Sequence, residues 1–182
     1  MAVYSTIFED QKIIELSSKY KNVLLLGCGG CANESLAFVN NKPLYVVSEE
    51  EELDVAIKKS IAIPYSVKEE CERIKHLLEA NGHFVVSSLI PLSQNTLCIR
   101  HDGDKYNINP KSQFVPDVIL TISCSAGAFG VYEDIGKSIP VYSIMQSRGQ
   151  LAYYYKDTFD KREIIYEKST VIYEESYNDK EL

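Results

Sequence analysis

Five cysteines carry most of the chemistry open to this chain, and two of them stand three apart in Gly27-Cys28-Gly29-Gly30-Cys31-Ala32, directly after the apolar run 23–26. A thiolate is both a nucleophile and a soft metal ligand, so a C-x-x-C pair opening a helix fits thiol exchange, zinc or an iron-sulfur cluster. The glycines fit something else. Gly27, Gly29 and Ala32 satisfy G-x-G-x-x-A after a strand, and Glu49 lies 20 residues beyond Gly29, which together describe a phosphate turn for NAD with Gly27, Gly29 and Gly30 as its backbone contacts. The turn alone satisfies both templates.

The elements that must position these residues separate them. A helix is expected over 9–20, with Ile13, Leu16 and Tyr20 on one face. Five short apolar runs follow, at 23–26, 44–47, 84–89, 118–122 and 141–144, rich in β-branched residues and separated by helical stretches or loops. Runs this apolar read as strands covered on both faces, so the expected fold is α/β: a Rossmann-like or flavodoxin-like three-layer sandwich with a mostly parallel five-stranded sheet in the order 2-1-3-4-5. Ser66 and Glu69 suggest a capping box for the helix that ends at Asn81-Gly82, and Val67, Cys71, Ile74 and Leu78 form one apolar stripe along it. Cys71 is therefore read as a small core residue. The polar stretch 101–113 reads as a loop. From Ser147 onward, alternating segments around Tyr153, Tyr154 and Tyr155 read as edge strands or a terminal hairpin, giving a division into 1–146 and a β extension at 147–182.

Strand direction then decides where the other thiols go. Cys28 follows the first strand, Cys98 lies beyond the third and Cys124 follows the fourth. In a parallel sheet every C-terminal strand end lies on the same edge, at the crevice where open α/β sheets bind ligands. Cys28, Cys31, Cys98 and Cys124 are thus expected to converge on one zinc ion or iron-sulfur cluster, with the N–H groups of Gly29 and Gly30 and the following helix N-terminus favouring thiolates. Thiol exchange, with Cys28 as nucleophile, Cys31 resolving and Pro140 facing the pair, leaves Cys98 and Cys124 without a role. Plain packing of small residues in tight turns explains any one of these cysteines, and explains three strand ends less well. His76, His83 and His101 read as surface or boundary residues, with His101 near enough to Cys98 to support it. The acidic run 49–52 reads as a solvated helix start.

Composition removes several classes. With 19 basic against 26 acidic residues and no basic stripe, nucleic-acid binding is not expected. No apolar run approaches the ~18 residues of a membrane span, and the first residues show no export leader, so the expected place is the cytoplasm, where thiols stay reduced. No Ser-His-Asp or paired-carboxylate arrangement stands out, and no catalytic residue is assigned.

The order of a short helix, KNVLLLGCGGCANE, a cysteine after the third strand and PDVILTISCSAGAFG resembles the small partner subunit of two-subunit methylenetetrahydrofolate reductases, over residues 9–145. That resemblance implies a Rossmann-like domain whose Cys28, Cys31, Cys98 and Cys124 hold a metal or iron-sulfur centre. It also implies a larger flavin-containing reductase, or a corrinoid or folate enzyme, as partner in one-carbon metabolism. The family's further cysteine after the first pair is replaced by Ser35, and no cysteine follows Cys124, so at most one centre can be built. Contact surfaces are expected on the segment from Tyr153 or on the loop 101–113, toward that partner or a second copy of the chain.

Overall fold

The computed structural model describes residues 2–46, 63–90, 97–98, 106, 114–135, 137–158 and 161–173. Two sheets share this α/β structure. The first is parallel, and its strands are the expected apolar runs: β2 (Asn22–Cys28), β5 (Phe84–Ile90), β6 (Val118–Ile122) and β7 (Val141–Ser143), in the order β5-β2-β6-β7. Every residue of β6 is buried, as are the last six of β2, because helices and connecting segments cover both faces of the central pair. Neither strand therefore needs polar alternation.

Among the described residues the parallel sheet has four strands and not five. The run expected as its second strand becomes β3 (Tyr45–Val46), which pairs antiparallel with β4 (Ile63–Pro64) and with β9 (Glu163–Tyr173) in the other sheet. A two-residue strand whose side chains are only half-buried carries no periodicity that names its partner, and β9 offers a long antiparallel edge to it. The second sheet runs β1-β8-β9-β3-β4, where β1 is Ala2–Ile7 and β8 is Met145–Thr158. The expected terminal hairpin is β8–β9. The strand β1 is not among the expected elements; it lies antiparallel to the first half of β8, with Ala2 opposite Leu151 and Ile7 opposite Met145.

Among the described residues four helices pack on these sheets: α1 (Asp10–Ser17), α2 (Cys31–Asn40), α3 (Tyr65–Ala80) and α4 (Ser125–Asp134). The expected stripe of α3 is buried in full, and its chain leaves through Asn81 and a Gly82 at φ +87°, a left-handed turn that suits glycine. The capping box is not formed. The helix begins at Tyr65 behind Pro64, two residues earlier than that box requires, so the Ser66 hydroxyl donates instead to the Pro43 carbonyl and Glu69 pairs with Lys42. Helix α2 serves both sheets. Ala32 and Leu36 enter the core of the parallel sheet, while Ala37, Phe38 and Cys31 pack on the antiparallel one. No helix among the described residues is long and apolar enough to cross a membrane. The acidic run 49–52, Glu49, His101 and the loop 101–113 apart from Tyr106 lie outside the described residues.

Candidate metal centre

Cys28 is the last residue of β2, and strand β5 on one side and β6 on the other leave it at the point where the sheet order reverses. Two residues later the chain turns into α2, and Cys31 is that helix's first residue. On the other side β6 ends at Ile122, and Cys124 caps α4, its carbonyl accepting from Gly127 N–H at 3.0 Å and Ala128 N–H at 3.2 Å while its side chain makes no capping bond. The parallel direction of β2 and β6 is what brings these two helix starts together.

Cys98 arrives by a different device. It follows Leu97, which is fully buried against α4, and α4 accepts this backbone only because two of its residues lack side chains. A Cβ on Gly130 would lie 2.3 Å from the Leu97 carbonyl oxygen and 3.4 Å from the Cys98 Cα; one on Gly127 would lie 3.3 Å from the Leu97 Cβ. Glycines within α4 thus act at a distance, holding the Cys98 segment beside the helix that Cys124 caps.

The four sulfurs share one electrostatic environment. Burial pushes the Cys28 thiol up to about 11, and charge on Cys124 or Cys31 would push it further, while N–H groups of Leu97 and Gly30 donate to its sulfur and oppose the rise. Cys31, half-buried, is raised chiefly by burial, and also by Glu34, Cys124 and Cys98; the Val3 N–H of β1 donates to it. A sulfur given backbone N–H groups is prepared to carry negative charge, as ligating sulfurs are. Among the described residues, no three thiol, imidazole or carboxylate groups stand close enough to hold an ion in this arrangement. In kind the donors are soft, since none of the four cysteines is in a disulfide, and thiolates suit zinc or an iron-sulfur cluster.

The glycines of the turn divide by role. Gly27 faces α3, where a Cβ would lie 2.5 Å from the Cys71 sulfur. Gly30 supplies the expected N–H to Cys28. Gly29 does not: its N–H donates to the Ile90 carbonyl at 2.8 Å, fastening the turn to β5. Pro140 lies at the N-terminal end of β7, on the sheet edge opposite Cys28, so it cannot face the C-x-x-C pair. A thiol pushed upward is also the reverse of an activated exchange nucleophile. Cys71 is buried on α3 away from the crevice. His76 is an exposed helix residue beside Glu79, and His83 is tied to Ser17 and Tyr20 ahead of β5.

One wall of the site comes from residues that the spacing of cysteines does not reveal. Tyr45 of β3 donates to the Gly29 carbonyl at 3.2 Å, Tyr153 of β8 to the Glu34 carboxylate at 2.5 Å, and Tyr166 of β9 to the Glu34 carbonyl at 2.6 Å. Burial raises the Glu34 carboxyl, and the Tyr153 hydrogen bond opposes that rise. The only sequence signal for this wall is the tyrosine run at 153–155. Comparison of the chain with protein-family models, curated proteins and solved structures finds no match.

Proposed function

We propose that Cys28, Cys31, Cys98 and Cys124 hold one iron-sulfur cluster, zinc being the ion that the same four thiolates would otherwise take, in an accessory subunit that carries electrons for a larger enzyme. What supports this reading is that thiols from three separate chain segments lie within electrostatic reach of one another, Cys28 of Cys31 and Cys124, and Cys31 of Cys98 and Cys124, with backbone N–H groups at two of the sulfurs. Such a cluster supplies one-electron transfer when bound. The protein's own part is to deliver thiolates from strand ends, to neutralise their charge with the N–H groups of Leu97, Gly30 and Val3, and to shield Cys31 behind the tyrosines of β3, β8 and β9. Because burial raises the Cys28 and Cys31 thiols, an ion bound by them as thiolates would displace their protons.

The parallel order β5-β2-β6-β7 is 2-1-3-4 counted within that sheet, which supports describing this half as Rossmann-like or flavodoxin-like. The resemblance of its two cysteine turns to the small subunit of methylenetetrahydrofolate reductase points to a flavin-containing partner and one-carbon chemistry in the cytoplasm. Purification without oxygen, followed by an absorption spectrum and metal analysis, tests the centre. A brown protein with ~4 iron per chain supports the cluster, a colourless one with ~1 zinc supports the zinc site, and a protein that binds neither on reconstitution overturns both. Flavin reduction by the partner, followed by loss of the cluster's colour, tests the electron-carrying role.

A further inference from the structure

We propose that the outer face of the β8–β9 hairpin docks an acidic segment of a partner protein, with Tyr154 as its apolar anchor and Lys156 and Lys168 receiving its carboxylates. The proposal does not need the metal centre, because this face is turned away from it. Tyr153, the neighbour of Tyr154, donates to Glu34 on α2, and successive strand residues point to opposite faces. In the antiparallel register Tyr154 stands opposite Lys168, Ala152 opposite Thr170 and Gln150 opposite Ile172. Lys156 follows Tyr154 two residues along β8, whose alternation is unbroken because the extra residue of the bulge, Glu167, is on β9. These side chains therefore share one face. Tyr154 is 72% exposed and Ile172 54%, and both lysines are exposed as well. Ala152, small among them, leaves a shallow cavity of about 350 Å³ bounded by Tyr154, Lys168 and Thr170.

Charge decides what this face takes. In a chain with 19 basic and 26 acidic residues, several cations find carboxylates within the fold: Lys42 pairs with Glu69, Arg73 with Asp10 and Glu70, Lys75 with Glu79 and Lys137 with Glu133. Lys156 and Lys168 pair with none among the described residues. Their backbone positions lie within about 7 Å of that of Tyr154, one along the strand and one across the pair. An acidic stretch interrupted by an aliphatic residue matches this layout, its carboxylates meeting the lysines while the aliphatic group covers the ring and Ala152. A nucleic acid fits less well, since it brings a charge about every 1.7 Å and meets a chain of net charge −7 everywhere beyond the hairpin. A small anion would leave most of its surface in water, whereas small-molecule sites bury about 70–90% of their ligand.

The test uses the full chain and a fluorescent peptide carrying a leucine between two pairs of glutamates, followed by anisotropy. Wild type is expected to bind it, ~10-fold more weakly as salt rises from ~50 to ~300 mM. Lys156→Glu with Lys168→Glu should weaken binding ~10-fold or more, and Tyr154→Ser severalfold at either salt concentration. Lys12→Glu with Lys19→Glu, an equal change of charge at α1, should leave binding nearly intact. Equal loss from the two charge-reversed pairs overturns the proposal, because net charge alone would then account for it. Absence of binding by wild type at millimolar peptide overturns it as well. Single-stranded oligothymidylate that binds more tightly than the peptide, and is lost in the same hairpin variants, gives the face to nucleic acid and overturns the acidic segment. Should the reversed hairpin pair fail to melt cooperatively, Lys156→Gln with Lys168→Gln replaces it, with a loss of ~3–10-fold expected and unchanged binding sinking the idea.

Discussion

Cys71 and Cys28 are equally hidden, 6% and 5% exposed, and a short distance separates them across β2 and α3, yet the chain treats their sulfurs differently. Cys71 lies in the apolar stripe of α3 over Gly27; burial pushes its thiol up to about 12, the carboxylates of Glu70 and Glu72 push the same way, and no group opposes them. Cys28 suffers the same desolvation but has two N–H groups on its sulfur and two other thiols as electrostatic neighbours. Burial alone therefore does not distinguish a packing cysteine from a candidate ligand. What distinguishes them is whether polar groups that a core would use elsewhere are directed at the sulfur.

The largest effect should separate these two residues outright. Cys28→Ala is expected to abolish metal uptake, a loss greater than the ~10–100-fold that outer partners of a ligand are worth, whereas Cys71→Ala keeps full stoichiometry and costs about 1 kcal/mol of stability. Equal metal loss in both variants would erase the distinction. The next effect reaches the site through packing: Gly130→Ala places a Cβ against the Leu97 carbonyl, backbone against backbone, so the Leu97–Cys98 segment must move. We expect ~1–3 kcal/mol of destabilisation and a ~10–100-fold loss of metal affinity as the Leu97 N–H leaves Cys28. Gly82→Ala is its control, strained by the positive φ but far from the thiols; calorimetric titration should show its metal affinity unchanged.

The pattern of what was legible follows from the range of the forces involved. The runs of β2, β5, β6 and β7 and the stripe of α3 could be read because burial on one or both faces imposes a local pattern. The delivery of Cys28, Cys31 and Cys124 to one edge followed from strand direction alone. The partner of Tyr45–Val46 and the strand Ala2–Ile7 could not be read, since both are defined by β8 and β9, more than a hundred residues away. The same holds for the Val3 N–H on Cys31, and for Tyr166 on the Glu34 carbonyl, 132 residues apart. Start positions misled as well: Ser66 and Glu69 match a capping box in spacing, but the helix begins two residues too early for it.

A smaller effect is carried by pH in the metal-free protein. The Cys28 thiol is raised from 9.0 to about 11 in the folded state, so the fold is favoured below the unfolded value and loses that advantage as pH climbs from about 9 to 11, where only the unfolded chain ionises readily. The advantage is on the order of 2 to 3 kcal/mol. Urea titrations across this range should show the stability gap between wild type and Cys28→Ala closing as pH rises. A gap that stays constant would mean that Cys28 titrates in the fold as it does in the unfolded chain, and that its burial has no electrostatic consequence.

The smallest effect concerns the tyrosine wall and extends the comparison from sulfur to carboxylate. Glu34 stands one turn beyond Cys31 on α2, half-buried, with its carboxyl raised by desolvation and partly restored by the Tyr153 hydroxyl. Ionising it in the fold is therefore unfavourable, and stability falls as pH rises through its folded value. Tyr153→Phe removes the group that limits this fall while keeping the ring against Tyr166, whose centroid lies 5.2 Å away. The variant should cost about 1 kcal/mol at neutral pH and less in acid, where Glu34 is protonated in both proteins. Tyr153→Phe with Glu34→Gln should lose that pH dependence. If instead the cost of Tyr153→Phe is the same at every pH, then Tyr153 acts only by packing. Cys31 would then owe nothing to a controlled charge one turn away, and the N–H of Val3 alone would set it apart from Cys71.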